Sequence, residues 1–134
     1  MASIIDVEGI GPLYAEKLKK VGVRTTGALL KFGATKQGRQ DLAEDSGISE
    51  KLILEWVNHA DLYRIKGVGE EYADLLEEAG VDTVVELAQR KGENLYAKIV
   101  ETNEAKELVR RLPTQKQINA WIGQAKKLPR GVHY

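Results

Sequence analysis

The chain has 134 residues, of which 20 are Lys or Arg and 20 are Asp or Glu, so its formal net charge is zero. This balance weighs against a strong non-specific nucleic-acid binder, which usually carries a basic excess. The lack of cysteine excludes a disulfide framework, a thiolate nucleophile and a Cys-ligated metal. No apolar stretch approaches the roughly 20 residues of a membrane-spanning helix. We therefore expect a cytoplasmic globular protein with one domain or two small ones.

One phrase occurs twice in the chain. Gly9-Ile10-Gly11 and Gly67-Val68-Gly69 lie 58 residues apart, and each is followed by Tyr-Ala, Leu, Gly-Val and Thr at the same spacing. A duplication of this kind predicts a repeat architecture. We expect each Gly-x-Gly to form a tight turn that opens a helix, where backbone N–H groups and the positive end of the dipole can bind phosphate.

The first helix of each copy is predicted to begin directly after this turn. Pro12 suits a first helical position, and Tyr14, Leu18 and Val21 then keep the spacing of one buried helix face. Gly22 suits the left-handed cap that ends such a helix. The second copy repeats this pattern with Tyr72, Leu76, Ala79 and Gly80.

The second segment of each copy is predicted to be a short helix. In the first copy it begins at Thr25 and Thr26, and in the second at a capping box from Thr83 to Glu86.

The third segment differs between the copies. In the first copy, Thr35 is predicted to begin one helix that stops near Gly47. In the second copy the apolar spacing predicts two helices. Their apolar faces are Leu95, Tyr96, Ile99 and Val100 for one helix, and Ala105, Leu108, Val109 and Leu112 for the other.

The fourth segments match again, beginning at Ser49 and at Thr114, the latter in a capping box with Gln117. Their apolar faces are Ile53, Trp56, Val57 and Ala60 in the first copy, and Ile118, Trp121, Ile122 and Ala125 in the second. The two tryptophans lie on these apolar faces, so we expect them to pack in the core rather than stack on bases.

These segments together predict an all-α fold. We expect one four- to five-helix repeat over residues 1–61 and another over residues 62–128, packed into one compact domain. A flexible tail is predicted over residues 129–134. No stretch alternates convincingly with the period of two that strands require.

The residues around each turn, 7–15 and 65–73, resemble the helix-hairpin-helix motif. In that family the hairpin and the start of the following helix grip a DNA backbone phosphate without reading sequence. A wider resemblance rests on the segments 59–69, 108–113 and 121–125. These are similar to a bacterial family catalogued as domain of unknown function 4332, which is built on duplicated helix-hairpin-helix elements. The resemblance implies this fold in tandem and gives no function.

The resemblance places a candidate nucleic-acid site on the first hairpin and on the basic residues that follow it. Its candidate residues are Gly9, Ile10, Gly11, Lys17, Lys19 and Lys20, with Arg110 and Arg111 as a second basic cluster. In the second copy, Glu70 and Glu71 occupy the first helical turn and interact with the dipole themselves. We therefore expect the second hairpin to be structural.

Two functions stay open. One is a non-enzymatic module that binds a DNA or RNA backbone weakly and without sequence preference. The other is a scaffold for a protein partner, in which the hairpins are only architecture. Neither His59 nor His133 is followed, three or four residues later in the sequence, by a carboxylate or histidine that would form a metal site with it. No sequence pattern indicates catalysis, a cofactor or a small-molecule substrate.

Overall fold

The computed structural model describes residues 3–134, so the first two residues of the predicted first repeat lie outside this range. Within the residues that the structure describes, a short 3-10 turn at Ile4–Asp6 precedes eight α-helices. These are α1 (Pro12–Lys20), α2 (Thr26–Gly33), α3 (Lys36–Ser46), α4 (Glu50–Leu62), α5 (Glu70–Glu78), α6 (Val84–Ala88), α7 (Gly92–Lys106) and α8 (Gln115–Ala125). Within residues 3–134 the one β-type pairing is an isolated bridge between Ser3 and Thr25. The predicted all-α fold is confirmed.

The helices are distributed over two compact units. The first unit contains the described residues up to Asp61 together with Gly131–Tyr134, and the second is Leu62–Arg130. Helices α1 to α4 belong to the first unit, except for the final residue of α4, and α5 to α8 belong to the second. None of the helices described is both long enough and apolar enough to cross a bilayer.

The core of the first unit is formed by one apolar face from each helix. Its fully buried side chains include Ile4, Leu18, Leu29, Ile53 and Val57.

The hydroxyl of Thr25 accepts a hydrogen bond from the Ala28 N–H at the start of α2, and that of Thr35 accepts one from the Gly38 N–H at the start of α3. Gly47 ends α3 in the left-handed conformation. The predicted start and stop of α3 are therefore confirmed.

The second unit has its own continuous apolar core. Its fully buried side chains include Leu62, Leu75, Leu76, Leu87, Leu95, Ile99 and Ile118. At the start of α8, the Thr114 hydroxyl accepts from the Gln117 N–H, and the Gln117 side chain accepts from the Thr114 N–H. This confirms the predicted capping box.

The predicted extra helix after α7 is wrong. Helix α7 ends at Lys106, and Glu107 adopts a left-handed conformation with φ 50°. The side chain of Asn103 then bonds both polar groups of Val109: Nδ2 donates to the carbonyl at 3.1 Å, and Oδ1 accepts from the N–H at 2.9 Å. Because these backbone groups are bonded to a side chain, they cannot join a helical ladder.

The chain end, where a flexible tail is predicted over residues 129–134, makes several contacts in the structure. Val132 is buried, the His133 N–H donates to the Ala34 carbonyl at 2.7 Å, and Arg39 Nη2 donates to the His133 carbonyl at 2.8 Å. The segment Gly131–Tyr134 is held against the first unit by these bonds. Its partners lie nearly a hundred residues away in sequence.

An aromatic pair occurs in the same place in each unit. The ring centroids of Tyr14 and Trp56 are 5.1 Å apart, and those of Tyr72 and Trp121 are 5.3 Å apart, both in tilted arrangements. Both tryptophans are buried and both tyrosines are half-buried. The expectation that these residues pack in the core is confirmed.

Candidate nucleic-acid interface

The first Gly-x-Gly segment, Gly9–Gly11, which is predicted to be a hairpin, forms a tight turn on the surface of the first unit. The Ile10 N–H donates to the Val7 carbonyl at 3.0 Å, and the Ile10 side chain is buried beneath the turn. Gly9 is exposed with φ 90°, and a Cβ at this position would lie 3.3 Å from Nε1 of Trp56. The turn therefore rests on the indole and requires glycine for both conformation and space.

Helix α1 begins directly after this turn and has no side-chain cap. Gly11 is its N-cap, with no side-chain cap hydrogen bond, and Pro12 occupies the first helical position. The first turn contains no acidic residue, and a Cβ on Gly11 would meet nothing within 4 Å. The N–H groups of Leu13 and Tyr14 lie in the first turn, where helical N–H groups have no intrahelical acceptor. An open N-terminus of this kind favours an anion.

The three lysines of α1 lie at the other end of the helix. All occupy its last turn, so Lys19 is about 12 Å along the axis from Gly11 at 1.5 Å per residue. Lys20 Nζ is 3.9 Å from a Glu16 carboxylate oxygen, and Lys17 Nζ is 6.0 Å from the centroid of the Tyr14 ring. The structure therefore does not gather the hairpin and the lysines around one phosphate, but spaces them along one helix.

Arg110 and Arg111 lie in the second unit, in the loop between α7 and α8. Both are exposed, and the Arg111 carbonyl accepts from the Tyr72 hydroxyl at 3.0 Å. Arg110 lines a groove whose acidic residues are Glu71, Glu104 and Glu107. Its positive charge is outnumbered there, so this arginine faces a surface that disfavours anions.

The second hairpin repeats the geometry of the first. The Val68 N–H donates to the Ile65 carbonyl at 3.1 Å, Gly67 has φ 98°, and a Cβ on it would lie 3.1 Å from Nε1 of Trp121. The role of each tryptophan as a platform under the turn is a feature that the sequence analysis missed. Each tryptophan follows its Gly-x-Gly at a similar distance in the sequence, and the second distance is longer by the seven inserted residues. This matched spacing is the sequence pattern that indicates a shared role for the two tryptophans.

The two helix starts differ in charge. Helix α1 carries three lysines and one glutamate, a formal +2, whereas α5 carries five acidic residues and no basic one, a formal −5. Glu70 and Glu71 occupy the first turn of α5. Of these two helix starts, only that of α1 has no carboxylate in its first turn that would compete with an external anion for the positive end of the dipole.

Comparison with family models gives a match over most of the chain. The model of a family described as "Domain of unknown function (DUF4332)" matches residues 8–128, a range that includes both Gly-x-Gly turns and helices α1 to α8. Comparisons with curated proteins and with solved structures return no match.

Proposed function

The chain belongs to the DUF4332 family, whose description leaves the function open, and we propose that it binds the phosphate backbone of nucleic acid through its first hairpin. The binding is weak, independent of sequence and non-enzymatic. The observation that carries this proposal is the uncapped start of α1 behind an exposed Gly-x-Gly turn. The resemblance of this turn to the helix-hairpin-helix motif supports the same reading.

The spacing of charges along α1 favours contact with more than one phosphate. The helix start binds one phosphate through backbone N–H groups, and the lysines of the last turn bind another about 12 Å away. Each neutralised phosphate contributes a salt slope of about −0.9 for duplex DNA. Two or three contacts therefore predict a loss of about 10- to 40-fold in affinity between roughly 50 and 200 mM salt.

The test is a titration of labelled duplex DNA, single-stranded DNA and single-stranded RNA with the full chain at both salt concentrations. The variant carries Lys17, Lys19 and Lys20→Glu. Its matched control carries Lys91, Lys98 and Lys116→Glu, which changes the net charge equally at exposed positions of the second unit. Loss of binding in the first variant alone supports the proposal. No binding by folded wild-type protein at the lower salt, or an equal loss in both variants, contradicts it.

Two further variants locate the contact. Gly11→Ala places a methyl group in open space in front of the helix start, so it should weaken phosphate binding while the fold is kept. Arg110 and Arg111→Glu should leave binding unchanged, because Arg110 already lies among carboxylates. Binding that is lost only in the arginine variant would move the site to the second unit.

A scaffold for a protein partner is the second candidate. It is favoured by the exposed apolar side chains of the first unit, since Leu13 is 65 % and Phe32 is 48 % exposed. Exposed large apolar residues mark protein-binding surfaces when they form a patch. The test is capture of an identified partner by the wild type and its loss with Leu13→Ser or Phe32→Ser. Retention of the partner by both variants would contradict a contact through either of these side chains.

A further inference from the structure

The first unit contains a groove that the proposed phosphate contact does not use. Its volume is about 390 Å³, and it is lined by Lys36, Arg39, Glu50, Lys51, Leu54 and Tyr134. These residues come from α3, α4 and the segment Gly131–Tyr134, and none comes from the hairpin or α1. A volume of this size is within the range of ligand-binding clefts.

Arg39 is the buried charge of this groove, with 4 % of its surface exposed. Nη1 donates to the Gly33 carbonyl at 2.9 Å, and Nη2 donates to the His133 carbonyl at 2.8 Å. The guanidinium carbon also lies 5.8 Å from the centroid of the Tyr134 ring. The side chain is therefore fixed in position by neutral groups.

The positive charge of Arg39 has no anionic partner among residues 3–134 that reaches ion-pair distance. Gly33 is the last residue of α2, so its carbonyl supplies only the partial negative charge of a helix end. Buried arginines are ordinarily paired with a full negative charge. Two of the five donors of the guanidinium are used, which leaves three for an incoming acceptor.

The rest of the groove adds positive charge and an apolar wall. Lys36 and Lys51 are exposed cations and Glu50 is the one acidic side chain of the lining, so with Arg39 the formal charge of the lining side chains is +2. Leu54 is half-buried and Tyr134 is exposed, and both offer apolar surface beside the charges. A carboxylate matches the fork of Arg39, and an adjacent apolar side chain matches the wall.

We propose that this groove binds an acidic peptide segment of a protein partner, with one carboxylate on Arg39 and a neighbouring apolar side chain on Leu54 and Tyr134. A nucleic-acid backbone fits less well, since it requires cations along an open face and Glu50 would repel it. If the protein is a scaffold, this groove is the surface that binds its partner, and the partner contributes an acidic segment. Binding in this groove does not depend on phosphate binding at the hairpin.

The test uses three labelled six-residue peptides with the full chain: alternating Glu and Leu, alternating Glu and Ser, and alternating Lys and Leu. We expect saturable binding of the Glu/Leu peptide at about 10–500 µM, and binding at least about tenfold weaker for the other two. Amide shifts in ¹⁵N-labelled protein should fall in α3 and the first turns of α4. Absence of saturable binding up to about 1 mM overturns the proposal.

The decisive variant is Lys36→Glu with Lys51→Glu. Both lysines are exposed and lie in the first turns of α3 and α4, where acidic residues suit the helix dipole and the fold should be kept. Peptide affinity should fall at least about tenfold. Lys19→Glu with Lys20→Glu is the matched control, and it should keep peptide binding even if it abolishes DNA binding. Equal losses in the two variants overturn the proposal.

Two further measurements complete the test. Arg39→Gln should also remove peptide binding, and the exposed lysine variant remains decisive if this buried change unfolds the protein. Tyr134→Ala should weaken the Glu/Leu peptide while affecting the Glu/Ser peptide little. Duplex DNA that shifts the α3 amides and displaces the peptide would assign the groove to nucleic acid instead, and this also overturns the proposal.

Discussion

The change Gly9→Ala tests whether the first hairpin is fixed by its backbone conformation and by the indole beneath it. Gly9 has φ 90°, and a Cβ would lie 3.3 Å from Nε1 of Trp56. Gly67 is the equivalent position, with φ 98° and a corresponding distance of 3.1 Å to Trp121. Gly11 provides a control, because its φ of −83° suits any residue and its Cβ would meet nothing within 4 Å.

The expected magnitude combines three contributions to the free energy of unfolding. The left-handed conformation destabilises alanine by about 1–2 kcal/mol, and displacement of the indole by a few tenths of an ångström adds up to about 1 kcal/mol. The smaller entropy of the unfolded alanine chain offsets about 0.4–1 kcal/mol. These contributions sum to between about 0 and 2.6 kcal/mol, so Gly9→Ala should lose about 1.3 kcal/mol, the middle of this range, and Gly67→Ala at least as much. Gly11→Ala should stay within about 0.5 kcal/mol of the wild type.

The two tryptophans of the chain allow each unit to be measured separately. In a Trp121→Phe background, the fluorescence of Trp56 reports the first unit, and a Trp56→Phe background reports the second through Trp121. Urea unfolding of each glycine variant is compared with its own background. If the urea midpoint of Gly9→Ala equals that of Gly11→Ala, neither backbone strain nor the indole contact restricts the turn, and the prediction is wrong.

Four other predictions concern individual bonds and segments. Thr114→Ala should destabilise the second unit by about 1 kcal/mol, because it removes the capping box of α8; unchanged urea stability would contradict the cap. Asn103→Ala removes two bonds to Val109 and should cost about 1–3 kcal/mol, whereas Glu107→Gly relieves a left-handed φ and should stabilise by about 0.5–1 kcal/mol. A melting temperature raised by Asn103→Ala, or lowered by Glu107→Gly, would contradict these roles of the two residues in the loop. Removal of Gly131–Tyr134 should increase hydrogen exchange in α2 and α3, and unchanged exchange would mean that the segment does not hold them.

Sequence patterns predicted the helix ends well because the interactions that set them are local. Thr35, Thr114 and Gly47 act on backbone groups within three or four residues. The predicted helix through Val109 failed because apolar spacing carries no information about Asn103, whose side chain competes for the same backbone groups.

The candidate site was only partly accessible to sequence reasoning. The turn at Gly9 and the open start of α1 follow from local chemistry, but the separation of Lys19 from that start follows from the rise of the helix. The burial of Arg39 could not be predicted from the sequence for a different reason. Its partners Gly33 and His133 come from two distant parts of the chain, and α3 is polar enough for any of its charges to be expected in solvent.

Because Gly131–Tyr134 belongs to the first unit, the two units cannot be completed in their sequence order during synthesis. The 69 residues from Leu62 to Arg130 separate the two parts of this unit, and at roughly 5–20 residues per second their translation takes about 3–14 s. During this interval the Ala34 carbonyl and the Arg39 guanidinium are without the backbone groups that later bond them. The unit that is begun first on the ribosome is therefore completed only after the chain of the other unit has been made.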